Sequence, residues 1–169
     1  MKKILLALSL LVTFGLSSCE KEDFGTFNSD NRPEVPVTFP GTTTHGFNPY
    51  ITKSISGDGV IEFTLSIPEN SGRTIREISR VAAGGTGVNA GSLNLLSPTG
   101  TPQVNYIASP IAGNGTSVKF RTTLAEFSSK STANADLVKA GNEIAFMFLV
   151  TLDNGNTIIP VQVRVRLTA

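Results

Sequence analysis

The chain has 169 residues, with 14 Lys and Arg against 13 Asp and Glu and a formal net charge of +1. No run concentrates the basic residues, so the charge pattern excludes a nucleic-acid binder, which needs a basic face to release phosphate counterions. A single Cys and a single His exclude a closed zinc site. Low charge (16 %), 16 Gly and abundant Ser, Thr, Asn and Val are the composition of an exported β protein, and the length suits one domain with a core of useful size.

The chain opens with Met1-Lys2-Lys3 and an apolar run from Ile4 to Leu16. A basic start and an apolar stretch of about 13 residues ending in small residues form a secretory leader, too short for a bilayer-spanning helix of about 20 residues. Leu16-Ser17-Ser18-Cys19 closes the run. This tetrad resembles the lipobox of bacterial lipoproteins: Leu, a small or polar residue, Ala/Gly/Ser, then Cys. The resemblance implies cleavage before Cys19 and a thioether-linked diacylglycerol on its sulfur. An acylated Cys19 forms no disulfide, so the domain must hold itself together by burial. Two or three acyl chains on one residue, at about 0.8 kcal/mol per buried methylene, make release from a membrane very slow.

Glu20-Lys21-Glu22-Asp23 follows. Lys21, Glu22 and Asp23 resemble the Lys-acid-acid export signal that surface lipoproteins of the Bacteroidota type carry beside their cysteine. That implies an outer-membrane protein facing the cell exterior. From there to about Gly46 the sequence lacks a sustained period and carries Pro33, Pro36 and Pro40. It reads as a tether whose about 25 residues would span about 25 to 30 Å as a flexible coil. Val35 to Phe39 inside it has the option of pairing as an edge strand. The organisation expected is a removed signal peptide (1–18), a lipidated N-terminus and tether (19–46), and a folded domain (47–169).

Within that domain, Val60 to Ile67 alternates, with Ile61, Phe63, Leu65 and Ile67 on one face and Glu62, Thr64 and Ser66 on the other. Such a period of two marks a half-buried strand. Ser117 to Thr122, with Val118 and Phe120 inward, and Val161 to Leu167, with Val161, Val163, Val165 and Leu167 inward, repeat it. Ile144 to Leu152 is apolar on both parities and should be covered on both faces, or lie centrally with one face under a loop. Tyr50 to Ser56, Thr74 to Ala82, Ser92 to Leu96 and Gln103 to Ala108 are further predicted strands. Thr123 to Ser129 and Asn134 to Ala140 are each predicted to hold a helical turn. Asp153-Asn154-Gly155-Asn156 predicts a hairpin with a type I′ turn. Pro160 conflicts with a two-residue loop there, so either the loop is wider or the ladder breaks at the proline. The expected fold is all-β: a single antiparallel β-sandwich of seven to nine strands in an immunoglobulin-like arrangement, with a closed barrel second.

The search for chemistry mostly returns absences. His45 lies in the tether, where a triad base cannot be held rigidly. Asp58, Asp136 and Asp153 are oxygen donors available to calcium, but without the acid spacing of a calcium loop. Gly85 to Gly91 runs into no helix and so does not form a dinucleotide loop. Glu62, Glu77, Glu126 and Glu143 are the carboxylate candidates for glycoside hydrolysis only because they lie in or beside predicted strands, and an outward, solvated glutamate is the ordinary explanation for each. Trp is absent, and Tyr50 and Tyr106 are the two aromatic residues with a polar handle for a sugar platform. No catalytic residue, cofactor or metal is assigned. The sequence therefore points to a non-catalytic surface interaction module, anchored to the membrane through lipid, with a protein or glycan partner of unknown identity. The alternatives are a glycan-binding accessory lipoprotein of an outer-membrane uptake system and, more remotely, an extracellular hydrolase.

Overall fold

The computed structural model describes residues 34–44, 48–93 and 105–169. Leu16, Ser17, Ser18, Cys19, Lys21, Glu22, Asp23 and His45 lie outside the described residues. The chain is mostly β. In order it forms β1 (Thr43–Thr44), β2 (Pro49–Ser54), β3 (Val60–Ser66), β4 (Ile75–Gly84), β5 (Ile111–Ala112), β6 (Ser117–Thr123), α1 (Leu124–Ser129), α2 (Thr132–Leu137), β7 (Glu143–Leu152), β8 (Thr157–Ile158) and β9 (Val163–Thr168). One open sheet has the order β1-β2-β9-β7-β4-β5, with β8 pairing β7, and β3 and β6 form a second, two-stranded sheet. The all-antiparallel expectation is corrected at one place. β2 runs parallel to β9, with Tyr50 opposite Arg164 and Ser54 opposite Thr168.

The inward residues of both sheets share one core. Ile61, Phe63, Leu65 and Ile67, then Val118 and Phe120, then Val163, Val165 and Leu167 are all buried, as their alternation requires. Phe39, Phe63, Tyr106, Phe120, Phe127, Phe146 and Phe148 meet with ring centroids from 5.1 to 6.4 Å apart. Edge-to-face and offset contacts of this kind add about 0.5 to 1.5 kcal/mol per pair beyond the burial of area. Val35 and Phe39, assigned to the tether, are buried in this core, and Thr38 bridges to Ser66 of β3. The compact unit runs from Val35 to Ala169. Burial of these two apolar side chains, about 1.5 to 3 kcal/mol each, offsets part of the entropy lost on ordering the segment, and the Thr38–Ser66 bridge adds to it.

In β4 the inward residues are Ile75, Ile78 and Val81, three apart instead of two. Bulges between Ile75 and Glu77 and between Ile78 and Arg80 cause this, because Arg76 and Ser79 have no partner on β7 while Ile75, Ile78 and Val81 face Leu152, Val150 and Phe148. Each bulge inserts one residue and so restores the inward parity one position late.

Four sequence expectations fail locally. Ser92 to Leu96 does not start as a strand: Ala90–Leu93 is a 3-10 turn, because Asn89 Oδ1 accepts from the Gly91 N–H at 2.9 Å and Ser92 Oγ from the Asn89 N–H at 3.1 Å. Such side-chain bonds compete with a ladder. The second is Asn105 to Ala108, which is irregular, with the Asn105 side chain accepting from the Val81 N–H at 3.0 Å where a strand's carbonyl would. The Asp153–Gly155 turn is not type I′. Gly155 has φ 87° while no non-glycine residue has positive φ, and Gly155 N–H bonds Leu152 O at 3.0 Å while Leu152 N–H bonds Asn156 O at 2.9 Å. This is a three-residue loop with glycine in the left-handed position. Fourth, the inward parity expected at Val161 fails: the ladder breaks at Pro160, one of the two outcomes expected there, between β8 and β9, and the parity slips with it. Val161 is 54 % exposed and Gln162 is 9 % exposed, the reverse of the expected pattern.

β7 lies between β9 and β4 and is covered on both faces as expected. Its outer Met147 packs with Ala82 and Leu93, with Val88 and Leu149 alongside. Gln162 fastens this cover, since its Nε2 donates to the carbonyls of Thr86 and Val88.

Candidate functional site

Two short helices and the end of β4 frame a concavity at the margin of the core. Thr123 caps α1 by accepting from the Glu126 N–H at 3.0 Å, and Ser131 caps α2 by accepting from the Asn134 N–H at 3.1 Å. Leu124 and Phe127 bury one side of α1. Asn134 ties the helices together by donating from Nδ2 to the Phe127 carbonyl at 3.2 Å. The helix junction thereby stands over the open edge of the apolar interior. A cavity of about 210 Å³ results, lined by Ala83, Tyr106, Lys130, Ser131 and Asn134.

A closed circuit of polar contacts borders it. The Tyr106 hydroxyl and Thr122 Oγ1 are 2.7 Å apart, and Thr122 Oγ1 donates to Glu126 Oε2 at 2.9 Å. Glu126 Oε1 is 3.6 Å from Lys130 Nζ, which returns over the Tyr106 ring at 5.0 Å from its centroid. Since Thr122 gives its proton to Glu126, the tyrosine donates to Thr122. Burial raises the Tyr106 hydroxyl to about 12, the Thr122 bond works against that, and the Glu126 charge adds to it. The phenol is therefore neutral across physiological pH and serves as a donor. The residues facing the cavity offer an ammonium, a hydroxyl and an amide above an aromatic and methyl floor, the mixture that orients a small polar group.

A second polar cluster lies at the β2–β9–β7 junction. Arg166 Nε donates to Glu143 Oε1 at 2.7 Å and Arg164 Nη1 to Glu143 Oε2 at 2.9 Å. The Arg166 guanidinium stacks 3.6 Å from the Tyr50 ring centroid. Burial pushes the Glu143 carboxyl up, but the hydrogen bonds and charges of Arg166 and Arg164 more than offset this and hold it below the usual carboxylate range.

The other sequence candidates are dispersed. Glu62 pairs with Lys119 at 2.9 Å across β3 and β6, and Glu77 accepts from Ser79 Oγ at 3.0 Å. Asp58 lies 3.8 Å from Lys53, Asp136 lies 3.7 Å from Lys139, and Asp153 Oδ1 accepts from the Thr74 N–H at 3.4 Å. Among the described residues no group of three His, Cys, Asp or Glu converges on a metal position. Tyr50 and Tyr106 do not form a shared platform, because Tyr106 is 5 % exposed within the core and Tyr50 is covered by Arg166.

Sequence reasoning does not single out Lys130, Ser131 and Asn134 as site residues. The signal that reveals their helices is the pair of capping patterns Thr123-x-x-Glu126 and Ser131-x-x-Asn134, each a side-chain oxygen three residues before a free N–H. No protein-family model matches the chain, and no curated protein matches it.

Proposed function

We propose that the chain is a lipid-anchored lipoprotein of the outer membrane, facing the cell exterior, whose folded part is a non-catalytic binding module for a protein or matrix partner. The observation that carries this reading is Leu16-Ser17-Ser18-Cys19 at the end of a basic and apolar leader. An export signal at Lys21, Glu22 and Asp23 completes the address. We take the folded part to be an immunoglobulin-like β-sandwich. In support, the order β9-β7-β4-β5 opposite β3-β6 matches strands G, F, C and C′ facing B and E of that arrangement, without its disulfide or its buried Trp.

We place the contact with a polar side chain or small group of that partner at the cavity beside Lys130, Ser131 and Asn134, and in support polar groups converge there over an apolar floor. A catalytic reading is disfavoured because Glu62, Glu126 and Glu143 each face a cation. Burial of Tyr106 likewise weighs against the glycan-uptake alternative, which needs exposed aromatic faces.

Replacement of the anchoring sulfur tests the reading. Cys19→Ala is expected to lose the acyl mass and either leave the membrane fraction or accumulate with its leader attached. A processed, leader-free Cys19→Ala product that still fractionates with the membrane, or an unmodified Cys19 thiol in the wild-type product, would overturn it.

A further inference from the structure

The sequence holds two exposed Asn-Gly pairs, Asn114-Gly115 and Asn154-Gly155, and the fold treats them oppositely. We propose that Asn114 is a site of spontaneous succinimide chemistry left open by the fold, while Asn154 is held closed.

Glycine after asparagine removes the side chain that would otherwise obstruct the attack of the next backbone nitrogen on the asparagine Cγ. That attack forms an N–Cγ bond and a succinimide ring. Nδ2 leaves as ammonia, taking up the proton lost by the attacking nitrogen. Water then opens the ring at either carbonyl to give aspartate or isoaspartate, and no oxidant or reductant takes part. Two conditions set the rate: the glycine nitrogen must be free to lose its proton, and the asparagine side chain must be free to turn towards it.

At Asn154 neither condition holds. The Gly155 N–H donates to Leu152 O at 3.0 Å, and Asn154 Oδ1 accepts from the Asn156 N–H at 3.0 Å, which draws the side chain past Gly155. At Asn114 the turn is fixed by other groups. Asn114 N–H bonds Ser117 O at 2.8 Å, Ser117 N–H bonds Asn114 O at 3.3 Å, and Ile75 N–H bonds Gly115 O at 2.8 Å. Gly115 sits at φ 63° as the first of two loop residues, the position where a type II′ turn requires glycine. Among the described residues, the Gly115 N–H and the Asn114 side chain make no hydrogen bond. Both reacting groups are therefore free while the backbone around them stays ordered.

The product has consequences for the fold. Aspartate adds a negative charge to the β5–β6 turn. Isoaspartate adds a methylene to the backbone inside the Asn114–Ser117 pair, which a two-residue turn cannot absorb without losing those bonds and the Ile75–Gly115 bond.

The test is incubation of the full chain at mildly alkaline pH, natively and in denaturant, followed by peptide mapping with isoaspartate-specific methylation. In the native chain Asn114 is expected to convert about tenfold faster than Asn154, equivalent to about 1.4 kcal/mol in barrier. In denaturant the two rates are expected to converge. Equal or reversed native rates would overturn the proposal, as would protection of both sites natively. A gap that persists in denaturant would do so as well, because it would trace to neighbouring sequence and not to the fold.

Discussion

The two faces of β7 are both covered, but by different kinds of structure. Inward, Ile144, Phe146, Phe148, Val150 and Leu152 meet the opposing sheet. Phe146 alone has the rings of Phe120, Phe63, Tyr106 and Phe127 at centroid distances of 5.5, 5.8, 5.8 and 5.9 Å. Outward, Ala145 and Met147 are also buried, yet the cover of Met147 is the irregular stretch carrying Val88 and Leu93, fastened through Gln162 and through the bond from Arg80 Nη1 to the Leu93 carbonyl. A rigid sheet resists collapse when a side chain is removed, whereas a loop moves in. The cost of a cavity depends on that difference.

The largest expected effect follows directly. Phe146→Ala is expected to destabilise the chain by about 3 to 5 kcal/mol, the range for an emptied aromatic site. A denaturation midpoint equal to that of the wild type would break the comparison by showing that the inner face also relaxes. Met147→Ala sharpens it from the other side. Here the expected loss is about 2 kcal/mol, the low end for a buried methionine, because the loop can settle and thioether packing is adaptable. A loss as large as that of Phe146→Ala would mean that the outer face is a second rigid core.

The inner face was legible in the sequence and the cover of the outer face was not. Alternation at Ile61–Ile67, Val118–Phe120 and Val163–Leu167 fixes inward residues because a strand allows only two directions. The same logic shows that β7 has two apolar parities and so needs two covers. It cannot name the second cover, since Asn89 and Ser92 replace the predicted strand there by side-chain bonds that leave no periodic trace. β4 is predicted as a strand but its inward set is hidden in another way: its three-residue spacing results from bulges at Arg76 and Ser79, which depend on pairing with β7. Parallel pairing of β2 with β9 also leaves no local mark, as either direction satisfies the same alternation. The cavity is illegible as a site for a further reason. Ala83, Tyr106 and Asn134 come from segments far apart in the chain, and only the helix caps near Lys130 and Ser131 are written locally.

Tyr106 stands where the inner core gives way to that polar margin, and it supplies the smallest and most specific test. Its ring packs against Phe120, Phe127 and Phe146, while its hydroxyl is one link of the circuit to Lys130. Tyr106→Phe keeps the ring and removes that link. Thr122 retains Glu126 as its acceptor, so the expected cost near neutral pH is about 1 kcal/mol, the net value of one hydrogen bond. The alkaline limb separates this role from packing. The folded-state value is raised from 10.0 to about 12, so between these the unfolded chain releases a proton that the folded chain keeps. Stability due to this group is then fully present below pH 10 and is lost as pH rises through about 12. The wild type should lose stability more steeply than Tyr106→Phe across that window. Parallel slopes for the two proteins would mean that the hydroxyl titrates as freely in the folded chain as in the unfolded one, and that the margin of the core is wet where the burial of Tyr106 makes it dry.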